Sequence, residues 1–259
     1  MLKSYDKLML MLKKLIGQWI ILLLWSMPSA LLSTTIDLEK KIRFLTNKDK
    51  VLIINIDATI SKNLLTELTD LLSQQTAMNK IIVLLNSMGG DGEAAIQIGQ
   101  LFREKKVEVF VSNKCASACI FSLFGGIIRG ANSAAIGIHA PRLTLSTDGG
   151  LIIEELAETG KKSYMDYLDA FDVTAINYLK AMNIPIEFQK KIKHYPTQKV
   201  RWLTYAETED LKITGFEPTL VNHKHSLISN KKILHTTRKC RKYTEDLQLF
   251  FECYKLNIY

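Results

Sequence analysis

The chain has 259 residues, 47% of them apolar and 23% charged, which excludes a disordered polypeptide and gives enough apolar mass for a real core. Its net charge is +8. Much of the basic excess lies at the two ends, so it reads as locally cationic segments and not as a nucleic-acid-binding face.

Residues 1–33 stand apart. Lys3, Lys7, Lys13 and Lys14 precede an apolar run from Leu15 to Leu32, densest in WIILLLW (Trp19–Trp25). Pro28, Ser29, Ala30 and Ser33 follow. A basic segment, a short apolar run and small residues form a secretory signal pattern. The apolar core is short beside the roughly 20 residues of a membrane span, and no good A-x-A cleavage site stands there. Signal peptide and uncleaved anchor helix both stay open. Basic residues are favoured on the cytoplasmic side, so the rest of the chain is expected in the periplasm or outside the cytoplasm, with the inner membrane as a possible anchorage.

Val51–Ile56 (VLIINI) is a continuous apolar run, as in strands buried on both faces of a parallel sheet. Ser61 is placed to cap a helix whose stripe is Leu64, Leu65, Leu68, Leu71 and Leu72. Ile81–Asn86 is a second strand, broken by Gly89, Gly90, Asp91 and Gly92 before a helix over Glu93–Lys105. Val107–Ser112 is a third strand, Ser117–Phe124 the next helix and Ala134–His139 a fourth strand. This alternation predicts an α/β domain with a mainly parallel sheet. Helices follow over Glu154–Met182 and from Pro185. A short strand is expected at Val200–Thr204, a helix at Tyr205–Leu211 and a closing strand at Pro218–Val221. The boundaries are a domain over 34–222 and a basic extension over 223–259, the latter read as an appendage.

In parallel sheets, sites collect at the carboxyl ends of strands. Gly89-Gly90, Ser117 and His139 all fall at such ends. Ser117 sits between small residues in CASAC (Cys115–Cys119) and is the candidate nucleophile; His139 in GIHAP (Gly137–Pro141) is the candidate base. Gly89 and Gly90 are candidate oxyanion-hole positions, because glycine lets backbone N–H groups face a developing negative charge, and the Ala118 N–H, at the start of the helix that Ser117 opens, can face the same point. Each alone has a plain structural reading: a helix cap, a strand-end histidine, a turn. Their coincidence carries the assignment. His194, His223, His225 and His235 read as surface residues.

The four cysteines are Cys115, Cys119, Cys240 and Cys253. None has zinc-ligand company at a suitable spacing, so no metal is expected. Cys240 and Cys253 form a possible bridge. Cys115 and Cys119 are expected as reduced core residues, because a four-residue spacing running into a helix fits disulfide geometry poorly.

NSMGG, CASAC, GIHAP and RWLTYAETEDLKITGF, in that order, resemble the caseinolytic (Clp) peptidase and crotonase superfamily, and most of all the predicted periplasmic Clp-like proteins. The resemblance spans roughly Val51–Val221. It implies a ββα-spiral fold, serine peptidase chemistry without a cofactor, a peptide or protein substrate, and self-association into homo-oligomers. It puts Ser117 at the nucleophile's position, His139 at the base's, and Gly90 and Ala118 at the oxyanion hole with Gly89 alongside. One departure stands out. The Clp peptidases place an aspartate shortly before the stretch that here reads WLTYAE, where this chain has HYPTQKV (His194–Val200). Asp166, Asp169 and Asp172 precede it on another helix. Three arrangements stay open: a Ser–His dyad, a histidine oriented by a backbone carbonyl, or an inactive scaffold or binding protein on the same fold. An acyl-CoA enzyme of crotonase type is the third class, and export argues against it.

Overall fold

A computed structural model describes residues 42–75, 77–140, 158–195, 199–216, 232 and 235–258. The expectations for residues 1–33 and for a strand at Pro218–Val221 lie outside them. None of the described helices is long and apolar enough to cross a membrane.

The apolar runs become strands. β1 (Ile42–Thr46) lies antiparallel to β2 (Val51–Asp57). β2, β3 (Lys80–Ser87), β4 (Glu108–Ala116) and β5 (Ile128–Gly130) then run parallel. Between them come α1 (Lys62–Gln74), α2 (Gly92–Glu104) and α3 (Cys119–Phe124). Ser61 caps α1 as expected, accepting from the Leu64 N–H at 3.2 Å, and Leu64, Leu68 and Leu72 turn inward. The other elements are β6 (Ile136–Ile138), α4 (Glu158–Ala181), α5 (Glu187–Lys193), β7 (Arg201–Trp202), α6 (Tyr205–Asp210), β8 (Gly215–Phe216) and α7 (Leu247–Ile258). The sheet order is β1-β2-β3-β4-β5-β8, with β6 pairing both β4 and β7. This mixed α/β architecture with a mostly parallel sheet is the expected fold class.

β4 is where the topology serves the site. Its first half pairs with β5, from Glu108↔Ile128 to Phe110↔Gly130. Its register with β3 shifts between Leu85 and Ser87, and its last residues pair with β6 instead, Cys115↔Ile136 and Ala116↔Gly137. A shift of this kind bends a strand and re-aims its end. The ends of β3, β4 and β6 are thereby brought side by side.

Side chains leave a strand alternately to its two faces, so this sheet buries two layers. Leu52, Ile54, Val83, Leu85, Val109 and Val111 face the helices that follow the strands. Val51, Ile53, Ile82, Leu84 and Phe110 face the other way, where Phe250, Phe251, Tyr254 and Cys240 cover them. The C-terminal segment, expected as an appendage, is therefore in part a core element. Phe250 is fully buried, and burying a phenylalanine stabilises by roughly 1.5–3 kcal/mol. Tyr254 also donates to Glu108 at 3.0 Å, and Glu108 is ion-paired with Lys80 at 3.0 Å. A disulfide joins Cys240 to Cys253. Of the basic residues in this segment, Lys232, Lys239 and Lys242 are exposed, whereas Arg238 and Arg241 are half-buried.

Candidate active site

Ser117 follows directly on the end of β4 and holds φ at +54°, the left-handed region that a residue with a Cβ rarely adopts. Its N–H donates to the Gly137 carbonyl at 3.0 Å and its carbonyl accepts from the Ile120 N–H at 3.2 Å. The residue is thus pinned on both sides in a tight strand-to-helix elbow. Strain of this kind persists only where the surroundings over-determine it, and such residues cluster at active sites.

The surroundings include a covalent one. Cys115 and Cys119 are joined by a disulfide, with Cα atoms 5.4 Å apart. This corrects the expectation of reduced cysteines. The physical reason is the elbow: the segment leaves a strand, turns at Ser117 and only then starts α3, so the spacing is not that of a continuous helix. With Cys240–Cys253, all four cysteines are paired.

Gly89 and Gly90 are held just as closely. Gly89 has φ +107°, and a Cβ there would lie 2.6 Å from the Ser117 Cβ and 2.9 Å from the Ala116 carbonyl oxygen. Gly90 has φ +140°, and its Cβ would meet the Ile60 carbonyl oxygen at 2.2 Å. The Ile60 N–H donates to the Gly89 carbonyl and the Asp91 N–H to the Ile60 carbonyl, at 2.8 and 2.9 Å. That bridge does not use the N–H of Gly90. Among the described residues neither Gly90 nor Ala118 gives its N–H to a backbone acceptor. Gly90, Ser117, Ala118 and His139 line one pocket of about 540 Å³, with Gly89 packed behind Ser117.

His139 follows β6. Its Nδ1 lies 2.6 Å from the carbonyl oxygen of Ala140. A carbonyl only accepts, so Nδ1 carries the proton and Nε2 is the basic nitrogen. No carboxylate hydrogen-bonds His139 among the described residues. Asp172 instead accepts from Gln189 Nε2 at 2.9 Å and pairs with Lys193. Ser117 and His139 share the pocket without a direct hydrogen bond. In hydrolases that contact is often long and tightens only when substrate closes the site.

The rest of the pocket was not legible as a site. Ile120 and Phe121 of α3, Tyr167 and Phe171 of α4, and the exposed Met88 after β3 make its wall. In the sequence the α4 residues are ordinary helical apolar positions, because nothing local says which neighbour they will face. Partial burial, with the nearby Glu93 and Asp91 carboxylates, raises the Tyr167 phenol above its usual range. Asp91 also lines the pocket, where its carboxylate caps α2 by accepting from the Ala94 N–H at 2.9 Å. Among the described residues no group of three or more histidine, cysteine or acidic side chains could hold a metal ion.

No protein-family model matches the chain, and no curated protein does. Solved structures do. The chain is similar to a point mutant of ClpP1 from Listeria monocytogenes, at 18% identity and a TM-score of 0.48, covering 62% of this chain and 88% of that one. It is also similar to a point mutant of the 1510-N membrane-bound stomatin-specific protease, at 19% identity and a TM-score of 0.43, covering 63% and 76%. At these identities and scores neither match assigns an activity to this chain.

Proposed function

We propose that this protein is a serine peptidase of the Clp type, acting outside the cytoplasm on peptides or proteins. The observation that carries the reading is the convergence of Ser117, His139 and two uncommitted N–H groups, those of Gly90 and Ala118, on one pocket. Ser117 Oγ attacks the peptide carbonyl carbon as His139 Nε2 takes its proton. The carbonyl oxygen becomes an oxyanion, which the Gly90 and Ala118 N–H groups stabilise. Collapse of this intermediate breaks the C–N bond, and His139 returns the proton to the leaving amine. Water then repeats the sequence on the acyl-enzyme and frees Ser117.

The Ala140 carbonyl takes the orienting role that a carboxylate has in triads. It fixes the tautomer, but as a dipole it stabilises the imidazolium less than a full charge would. A slow peptidase follows from that. The apolar wall from Ile120, Phe121 and Phe171 suits a substrate with an apolar side chain beside the cleaved bond. Export is supported by the two disulfides, which persist in oxidising compartments.

The test is a fluorophosphonate probe on the folded protein. Wild type labels at one site, and Ser117→Ala reduces labelling at least about a hundredfold. The second reading, a non-catalytic binding protein, draws on the missing Ser117–His139 hydrogen bond; folded wild-type protein that takes no label would establish it.

A further inference from the structure

A second groove, of about 580 Å³, is lined by none of the residues of the Ser117 pocket. Its floor is the carboxyl end of the sheet on the second face. Strand alternation decides what stands there. Ile53, Leu84 and Phe110 belong to the core of that face, so Asn55, Asn86 and Ser112, two residues further on, continue it. The core is apolar up to these positions and polar beyond them. The wall is the C-terminal segment, which brings Arg238, Arg241 and Lys242 to the groove.

Two polar groups in it lack hydrogen-bond partners among the described residues. Asn55 is only 3% exposed and its amide makes no hydrogen bond there, yet it lines the groove. Arg238 has a buried Nε without an acceptor. Its guanidinium lies 4.4 Å from the centre of the Tyr205 ring, which stabilises the charge without accepting its hydrogens. Leaving the buried Arg238 donor unsatisfied is unfavourable, and the group that satisfies it must accept a hydrogen bond, while the Asn55 amide can both donate and accept. The two acids of the groove are already engaged. Glu245 pairs with Arg43 at 3.0 Å, and Asp57 accepts from Asn86 Nδ2 at 2.9 Å. Arg241 spends its Nε on the Ser112 carbonyl, which holds the arginine in place. The balance is positive, and the lining is polar.

The geometry points to a binding site for a small phosphorylated ligand, its phosphate met by Arg238 and Arg241 and its polar remainder by Asn55 and Asn113. The planar fork of arginine matches phosphate oxygens, the cavity exceeds a bare phosphate, and its size suits a phosphoester of a small polar molecule. The same chemistry occurs in a soluble phosphoester and in a phospholipid headgroup.

The test is calorimetric titration of the full chain with sn-glycerol 3-phosphate and with inorganic pyrophosphate at low ionic strength. Binding is saturable, and Arg238→Gln and Asn113→Glu each weaken it at least about tenfold while Ser117 labelling stays unchanged. Asn113 is exposed, so its variant folds even where loss of Arg238 disturbs the segment, and melting curves are recorded for both. Phosphatidate vesicles that compete with glycerol 3-phosphate identify the ligand as a headgroup; vesicles that do not compete identify a soluble phosphoester. Absence of saturable binding by wild type overturns the assignment, as does wild-type affinity in folded Asn113→Glu protein.

Discussion

Gly89 carries more of the site than its lack of a side chain suggests. Its place behind the Ser117 elbow leaves no room for a methyl group, and its φ of +107° is a second, independent obstacle. Gly89→Ala therefore costs folding stability, about 2 kcal/mol or more, from strain and close contact together. Urea unfolding measures that cost. At temperatures where the variant is still folded, fluorophosphonate labelling should also fall, because relief of the contact shifts Ser117 Oγ. Unchanged stability together with unchanged labelling would show that the elbow does not depend on this glycine. Ser117 and Gly89 were both visible in the sequence. What made them a unit, the packing of Gly89 against the Ser117 Cβ, joins residues 28 positions apart just past the ends of two strands and has no local signature.

At the scale of elements, the support for His139 runs through α6. Thr204 and Glu207 form a capping box: the Thr204 hydroxyl accepts from the Glu207 N–H, and the Glu207 carboxylate accepts from the Thr204 N–H at 2.9 Å. The same carboxylate binds Arg201, whose strand pairs Arg201 with Ile138, next to His139. The Thr204 N–H first, and then the Arg201 guanidinium, pull the Glu207 carboxyl down from its usual 4.5 to about 2. A carboxyl depressed by folding stabilises fully above about pH 4.5, and that stabilisation is lost as pH falls through about 2. The urea midpoint of Glu207→Gln should thus lie below wild type at pH 6, with the gap closing toward pH 2. Because the half-buried carboxylate pairs with an exposed Arg201, solvent screens the pair and the gap is small. A gap constant across this range would remove the charge from the account. The T-x-x-E of the cap is a local pattern; its link to the histidine is not, since it depends on β7 pairing with β6.

For the molecule as a whole, the cysteines bear on the compartment. All four cysteines are bridged, one pair across the nucleophile elbow and the other within the segment that covers the second face. A reducing cytosol would keep such pairs open. With the basic and apolar pattern of residues 1–33, this leads us to expect the domain outside the cytoplasm. Alkaline phosphatase fused after Thr46 should be active in a bacterial host. A well-expressed but inactive fusion would place the domain in the cytosol.

The strands β2, β3, β4 and β6, their parallel character and the positions of Ser117, His139 and the glycine pair were set by the sequence itself, because long apolar runs, strand ends and glycine are local signals, whereas the short β1 and β5 carry no such signal. Three things were decided only by tertiary structure. The Cys115–Cys119 bridge exists because Ser117 turns the chain between strand and helix, and the spacing alone describes a helix. The orienting partner of His139 is the Ala140 carbonyl, a group that every residue carries and no sequence marks. The apolar residues of α7 join the core because β2, β3 and β4 leave a second face bare, and which segment covers an apolar face follows from where the chain returns in space.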